Sequence, residues 1–439
     1  MNDPRDPTRI TYSLRHLLTL PIMMFLGHTK SRHQLDRQLE SPCLIANLAS
    51  LIGEDLHYTA RADTMNYLLE QLNPEMGTIP LASLPALLVK QLLKKRMLER
   101  FRFNHEYLVA VDATELFRLH ERHCKCCLTA EYSNGQTDYF HNVLEAKLVS
   151  VEGLALSLAS EFIENDGPYV KQDCEIKAAY RLLAELKRQF PRLRICLTGD
   201  SLYACQEILQ ICFDSQWGFM LVFKPGRMPA FYEEVTEKLR RLPDQRLQRR
   251  HDDGTSLTYS WVTNLSYRGH TLHAIFLDIV SPDGTTSRHA YLTDHRPSAD
   301  TIEHLINHGG RQRHKIENQG FNTQKNGGYE LEHDYGHCGY AWKNYYYLIQ
   351  VVHLLHQLML NTELFGKLAQ QLACQHPNLN LRVLAFWLET YRTARQAAGG
   401  LKHFAATLGE HLRQQLLDAV ALDTTFANSF QMRFNFDTS

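Results

Sequence analysis

The middle of the chain contains three short, mainly apolar segments that alternate with helix-forming segments. The apolar segments span residues 107–111, 193–198 and 218–223. Helical patterns at about 174–190 and 202–213 separate them. Near-continuous apolar runs are typical of strands that are covered on both faces. Strands that alternate with helices therefore predict an α/β fold, with a mixed sheet flanked by helices.

The flanking regions have their own patterns. Residues 1–105 carry apolar side chains at three- and four-residue steps, which predicts a helical N-terminal region. Further strand patterns occur at 143–149 and 155–161. Between about 224 and 300, alternating segments joined by Asp-Gly turns predict an antiparallel β insertion. The expected domains are a helical region at 1–105, a core at 106–365 that the insertion interrupts, and a helical C-terminal region at 366–439.

Composition excludes several classes of protein. Hydrophobic residues make up 44% of the chain and charged residues 22%, which argues against long disorder or a fibrous repeat. The 47 basic and 48 acidic side chains give a formal net charge of -1, so any affinity for nucleic acid must come from local patches. One such patch is residues 224–250, which contain eight Lys or Arg and four acidic residues. This surplus of positive charge predicts a phosphate-binding ridge.

The N-terminal sequence bears on the expected location. The apolar run at 17–27 is about half as long as a bilayer span requires and contains Pro21. The first residues lack the basic-then-apolar order of a secretory signal. We therefore expect no membrane segment and a cytoplasmic location. Ten cysteines, scattered apart from Cys124, Cys126 and Cys127, are too few for a disulfide scaffold, so reduced thiols are expected.

Three carboxylates form the strongest candidate site. Asp112 and Asp200 each follow an apolar strand, and Glu317 lies in a helical pattern with Arg313 and Phe321 at four-residue spacing. If the two strands are parallel neighbours, both aspartates emerge at the same edge of the sheet. Two Mg²⁺ or Mn²⁺ ions would relieve the repulsion among three carboxylates and activate a water or hydroxyl group. Spacing alone leaves the alternative of a turn or a helix cap at each aspartate.

Three sequence blocks carry these residues. They are Val109-Ala-Val-Asp112-Ala-Thr-Glu-Leu-Phe117, Leu197-Thr-Gly-Asp200-Ser-Leu-Tyr-Ala204 and Arg313-His-Lys-Ile-Glu317-Asn-Gln-Gly-Phe-Asn322. Supporting blocks are Lys171-Gln-Asp-Cys-Glu175, Leu144-Glu-Ala-Lys-Leu148 and Tyr329-Glu-Leu-Glu-His-Asp-Tyr-Gly-His337. In this order the chain, from about residue 5 to about 365, resembles the DDE transposases of bacterial insertion sequences, of the type with a β insertion before the glutamate.

The resemblance implies an RNase H-like core that cleaves DNA at terminal inverted repeats and joins the freed 3′-hydroxyl to target DNA. It implies that Asp112, Asp200 and Glu317 hold two Mg²⁺ or Mn²⁺ ions and that Arg313 and Lys325 contact DNA. It also implies a homodimer on paired ends, bound at the bacterial nucleoid, with a helical N-terminal region that would suit DNA-end binding and C-terminal helices that would suit dimerisation. A basic groove would add Arg311, Lys315, Arg240, Arg241, Arg249 and Arg250.

The sequence departs from the family pattern at two positions. Gly310 stands where a tyrosine is usual, three residues before Arg313. Lys325 lies eight residues after Glu317, where seven is usual and Gln324 stands. Two alternatives stay open beside the transposase interpretation: a metal-dependent nuclease that does not join strands, and an inactive DNA-binding remnant.

A cysteine and histidine cluster follows the first carboxylate block. It contains His120, His123, Cys124, Cys126 and Cys127, and Cys124 and Cys127 have the C-x₂-C spacing of half a zinc site. The other half could come from His141, His333, His337 or Cys338. The predicted zinc ligands are Cys124, Cys127, His141 and His337. Reduced thiols in a polar turn are the alternative.

Overall fold

A computed structural model describes residues 1–29, 31–39, 42–122, 124–165 and 171–361. The described residues divide into two compact units. One contains Met1–Leu84 together with the described chain from Thr323 onward, and the other contains Pro85–Asn322. The predicted C-terminal region at 366–439 and the predicted ligand candidate His123 lie outside the described residues.

The first unit is helical. Its helices are α1 (Leu14–Leu26), α2 (Arg32–Gln38), α3 (Pro42–Ile52), α4 (Ala62–Gln71) and, later in the chain, α10 (Asn322–Asn326) and α11 (Ala341–Asn361). The Ser13 side chain caps α1 by accepting a hydrogen bond from the His16 amide. The buried Asn344 of α11 donates from its amide to the carbonyl oxygens of Leu69 and Leu72, both at 2.7 Å. The α11 helix is therefore fastened to the C-terminal end of α4.

The second unit contains the sheet. Its helices are α5 (Leu84–Lys94), α6 (Glu175–Gln189), α7 (Gln206–Ser215), α8 (Pro229–Arg240) and α9 (Ile302–His304). Its strands are β1 (Tyr107–Leu119), β2 (Leu128–Glu131), β3 (Thr137–Val149), β4 (Ala155–Ile163), β5 (Ile195–Gly199), β6 (Gly218–Val222), β7 (Arg246–Arg250), β8 (Ser256–Tyr267), β9 (His270–Val280) and β10 (Thr286–Thr293).

All of these strands belong to one mixed sheet, which confirms the predicted mixed α/β architecture. The strand order is β2-β3-β1-β5-β6-β10-β9-β8-β7, and β4 pairs with β3 beside β2. The three strands β1, β5 and β6 are mutually parallel, whereas the other pairings are antiparallel. Buried apolar side chains from both the central strands and the later strands form a continuous core, including Leu108, Cys196, Met220, Ile275 and Phe321.

Two details of the sequence prediction need correction. We expected the first strand to end at Asp112, but β1 continues to Leu119 because β3 pairs with it beyond the point where its pairing with β5 stops. The β insertion is also not separate from the core sheet. Helix α8 occupies its first part, and β10 pairs antiparallel with β6, so that the later strands extend the same sheet.

Candidate functional site

The two aspartates lie side by side at one edge of the parallel strands. Val111 of β1 pairs with Gly199 of β5, so Asp112 and Asp200 are the next residues on two adjacent parallel strands. Both side chains are partly buried. The Asp200 carboxylate also accepts a hydrogen bond from the Leu202 amide at 2.7 Å, which fixes the turn that follows β5. The geometry that the sequence predicted for this pair is therefore present.

A third carboxylate, Glu175, joins the pair. Burial raises the pKa of Asp112 to about 6, the Arg313 guanidinium and the Ala113 amide oppose this rise, and the charges of Glu175 and Asp200 add to it. Burial also raises the pKa of Glu175, and the charge of Asp200 contributes to that rise. In the sequence, Glu175 belongs to a supporting block and not to the predicted site. Glu175 lies in the first turn of α6, where an acidic side chain commonly interacts with the helix dipole. Its position in the sequence therefore gave no indication of a site.

Tyr203 holds Glu175 in place. The Tyr203 hydroxyl donates to Glu175 Oε1 at 2.5 Å, and the tyrosine ring is 2% exposed. This ring lies over Gly199, where an added Cβ would be 2.6 Å from Tyr203 Cδ2. Glycine is therefore required beside Asp200, because any side chain at this position would displace the tyrosine that orients Glu175.

The segment that carries Glu317 is an irregular helix rather than the regular α-helix that the four-residue spacing predicted. It consists of a π-helical turn at Leu305–Gly309, a 3₁₀ turn at Gly310–His314 and a second π-helical turn at Ile316–Phe321. The second π-helical turn packs on β1, β3 and β4. Mid-helix π turns are rare and are frequent at functional sites.

Close approach between this segment and the sheet depends on glycines. An added Cβ at Gly309 would lie 2.7 Å from Met220 Sδ, and one at Gly310 would lie 2.7 Å from the Tyr291 ring. At Gly320 an added Cβ would be 3.2 Å from Cδ of Lys147. The segment therefore lies directly on the sheet at three positions.

Arg313 joins this segment to the aspartates. Its Nη1 atom donates to Asp112 Oδ2 at 3.2 Å, across 201 residues of sequence. Glu317 follows Arg313 by four residues, is partly buried and carries no ion pair among the described residues. The structure thus brings Asp112, Asp200 and Arg313 together, and it places the segment that bears Glu317 on the strand that bears Asp112.

A buried ion pair lies beneath the same segment. Glu145 and Lys147 of β3 are both 0% exposed, with Lys147 Nζ 3.2 Å from Glu145 Oε2. Directly opposed residues of antiparallel strands share a face, and Glu145 is opposite Asp112, so the pair lies on the face that carries Asp112. The Ser157 hydroxyl donates to Glu145 at 2.9 Å, and Ser160 donates to its other oxygen. The Lys147 ammonium lies 5.7 Å from the centre of the Phe321 ring.

Cationic side chains cluster around the predicted site. Arg311, Arg313 and Lys315 lie within one five-residue stretch of the segment that bears Glu317, and Arg313 contacts Asp112. Burial lowers the pKa of His314 in this stretch, its hydrogen bond with the Arg311 backbone opposes this, and the charges of the three cations lower the pKa further. Arg311 is exposed and Lys315 is partly buried. Three of the predicted DNA contacts therefore form one positive patch beside the acidic pair.

The other predicted DNA contacts are dispersed. Arg240, Arg241, Arg249 and Arg250 are exposed in α8, just after it and in β7, with Arg241 paired to Glu237 and Arg249 paired to Glu303 at 2.8 Å. The β7 strand is an edge of the sheet in the described part of the chain. Lys325 belongs to the helical unit, where its Nζ lies 2.8 Å from Glu332 Oε1.

Three of the predicted zinc ligands converge. Cys124 Sγ is 3.3 Å from Cys127 Sγ and 3.4 Å from His141 Nε2, and the remaining distance, from Cys127 Sγ to His141 Nε2, is 3.9 Å. Burial and the neighbouring Cys127 thiol raise the pKa of Cys124 to about 12. The fourth predicted ligand, His337, lies in the helical unit, where its Nδ1 is 2.7 Å from Asp334.

No protein-family model matches the chain, and no curated protein matches it significantly. Among the described helices, none combines the length and apolarity that crossing a bilayer requires.

Proposed function

We propose that this protein is a DNA transposase with an RNase H-like core, which cleaves the 3′ ends of an insertion sequence and transfers them to target DNA. One observation carries the proposal. Asp112 lies on β1, Asp200 directly follows the adjacent parallel strand β5, and Arg313 joins Asp112 to the segment that bears Glu317. Such an edge is where open α/β sheets place their sites.

The donor set at this edge fits divalent cations. Burial raises the pKa of Asp112 and of Glu175, and the charges of the neighbouring carboxylates add to both rises. Carboxylate oxygens are the ligands that Mg²⁺ and Mn²⁺ prefer. Asp112, Asp200 and Glu317 would hold the ions. The negative charge of Glu175, which acts on Asp112, would add to the attraction for them. When bound, two such ions activate the attacking oxygen and stabilise the leaving oxygen of a phosphodiester.

The protein's own residues would position the DNA. Phosphoryl transfer depends mainly on positioning and on neutralisation of charge. The positive patch formed by Arg311, Arg313 and Lys315 would bind the phosphates that flank the scissile bond. The exposed arginines of α8 and β7 would bind a more distant part of the duplex and make its affinity sensitive to salt. The proposed substrates are terminal inverted repeats and target duplex DNA, and the proposed assembly is a homodimer on paired ends that acts at the bacterial nucleoid.

The Asp200→Asn variant tests the proposed chemistry. Asparagine keeps the size of the side chain and an acceptor for the Leu202 amide but removes the charge that binds a cation. We expect cleavage of a duplex that carries the inverted repeats flanking the gene to fall by about a hundred- to a thousandfold, in line with the loss of one preorganised group in an enzyme site. Binding to the same duplex should be unchanged in a gel-shift assay.

Asp252→Asn is the matched control, because Asp252 is exposed in the turn before β8. It should cleave at the wild-type rate. Cleavage by Asp200→Asn at an ordinary rate would show that the assignment of this carboxylate is wrong.

A nuclease that does not join strands is the second candidate, because the same aspartate pair would support hydrolysis alone. The two activities differ in the acceptor, which is a 3′-hydroxyl in one case and water in the other. A pre-cleaved end with a labelled 3′-terminal strand, incubated with supercoiled plasmid and Mg²⁺, separates them. Labelled strand joined to plasmid supports the transposase, whereas nicked plasmid without label supports the nuclease. No metal-dependent cleavage of either DNA would support an inactive remnant.

A further inference from the structure

The cluster formed by Cys124, Cys127 and His141 has the dimensions of a metal site. In a tetrahedral zinc site, Zn–S bonds of about 2.3 Å and Zn–N bonds of about 2.0 Å place two sulfurs about 3.8 Å apart and a sulfur and a nitrogen about 3.5 Å apart. The three distances here are 3.3 Å between the sulfurs and 3.4 and 3.9 Å from sulfur to nitrogen. A single ion could therefore contact all three atoms after shifts of about half an ångström.

The polypeptide around the cluster fixes these ligands from three sides. Cys127 directly precedes β2, and the pairing of Leu128 with Phe140 places it beside His141 of β3. Asn165, just beyond β4, donates from its backbone to the Cys126 carbonyl at 3.2 Å and from its side chain to the Cys127 carbonyl at 2.8 Å. Cys127 and His141 are 0% exposed, and Cys124 is partly exposed. The backbone therefore holds the three ligands in place, and an ion could reach them past the partly exposed Cys124.

A metal ion at this position would stabilise the short edge strand β2. The β2 strand has four residues and lies at the edge of the sheet among the described strands. A strand this short gains little from its own hydrogen bonds, whereas a metal ion bound across two strands contributes its binding free energy directly to folding. Soft thiolates together with an imidazole favour zinc over the hard cations proposed for the carboxylates.

We propose that Cys124, Cys127 and His141 supply three of the four ligands of one structural Zn²⁺ ion, which holds the start of β2 against β3. This site lies outside the carboxylate cluster and does not depend on the proposed DNA chemistry. Cys124 and Cys127 form a C-x₂-C pair, so a redox disulfide is the competing interpretation. A disulfide would require a sulfur to sulfur distance of about 2.0 Å and a thiol oxidant.

Metal analysis of the full-length protein tests the proposal. Protein purified under reducing conditions without chelator should contain about one zinc ion per chain. Cys127→Ser and His141→Ala should lose most of this zinc, and Cys212→Ser should keep it. Cys212 is a suitable control because it is another fully buried cysteine, in α7. Wild-type protein that takes up no zinc even when the ion is added under reducing conditions would overturn the proposal.

A second measurement covers variants that fail to fold. Cys124→Ser changes the partly exposed ligand and is the variant least disruptive to packing. Wild-type protein reconstituted with Co²⁺ should show the near-ultraviolet absorption of cobalt-thiolate bonds, and Cys124→Ser should show a weaker band. Chelator should lower the melting temperature of the wild type but not that of Cys124→Ser. A Cys124–Cys127 disulfide in protein purified with zinc present and without chelator, seen by mass spectrometry without reduction, would favour the redox interpretation and refute ours.

Discussion

The buried pair of Glu145 and Lys147 provides the sharpest test of how the site is supported. Both side chains are 0% exposed, and their charged atoms are 3.2 Å apart. Lys147→Met keeps the length and most of the volume of the side chain beneath Gly320 and Phe321, but it removes the ammonium. Removing one partner of a buried pair typically costs about 3–5 kcal/mol, because the remaining charge stays desolvated. We expect a loss of this size in the unfolding free energy of the sheet unit.

The measurement is guanidinium unfolding followed by tryptophan fluorescence and by circular dichroism, at neutral pH. Lys238→Met is the matched control, since Lys238 is paired with Glu234 at 2.6 Å but is 47% exposed. An exposed pair contributes about 0–1 kcal/mol, so the same substitution should have little effect there. Equal losses in Lys147→Met and Lys238→Met would refute the argument.

The double variant Lys147→Met with Glu145→Gln separates desolvation from packing. It removes both charges and leaves an acceptor for Ser157 and Ser160. Its stability should lie within about 1–2 kcal/mol of the wild type, because replacing a whole buried pair is often nearly neutral. If the losses of the two single variants simply add in the double variant, the pair is not coupled and our reasoning fails.

Three further predictions follow from the structure. Tyr203→Phe removes the hydrogen bond to Glu175, and we expect a loss of about 1.5–3 kcal/mol in unfolding experiments, whereas an unchanged stability would show that this bond contributes nothing. Burial lowers the pKa of His356 to about 4, below its value of about 6.5 in the unfolded chain. The neutral imidazole therefore contributes its full stability above pH 6.5, and the free energy of unfolding falls by at most about 3 kcal/mol as the pH drops to 4. The His356→Gln variant should show a flatter pH dependence of unfolding across this range. Mg²⁺ should raise the melting temperature, with a smaller rise below about pH 6 because protonation of Asp112 competes with the ion, and Asp112→Asn should abolish the effect.

The sequence predicted the parts of the fold that local pattern encodes. The apolar runs of β1, β5 and β6 and the helical periodicity of α6 were recognisable because each element is buried in a characteristic way. The alternation of strands and helices made parallel pairing of β1 with β5 a condition for the adjacency of Asp112 and Asp200, and the structure meets this condition. The C-x₂-C spacing also predicted that Cys124 and Cys127 act together, and their sulfur atoms lie 3.3 Å apart.

Local sequence patterns did not predict which strands that are distant in the sequence pair with each other. Nothing in the sequence of β10 indicates that Tyr291–Thr293 pairs with Met220–Val222, and this pairing is what makes the insertion part of the core sheet. The irregular turns around Glu317 were hidden because a spacing of four residues suits an α-helix equally well. The role of Tyr203 became visible only through its contacts with Gly199 and Glu175, which lie on other elements.

The contact between Gly310 and Tyr291 explains why position 310 lacks the tyrosine that is usual in the family to which we propose the chain belongs. A tyrosine at position 310 could not fit, because the Tyr291 ring from β10 already occupies the volume next to the Gly310 Cα. Burial raises the pKa of Tyr291 to about 12, and the charges of Arg311 and Arg313 oppose this rise, so the aromatic group near the arginines comes from the sheet instead of from the helix. The two positions should therefore vary together, with an aromatic residue at one accompanied by a small residue at the other.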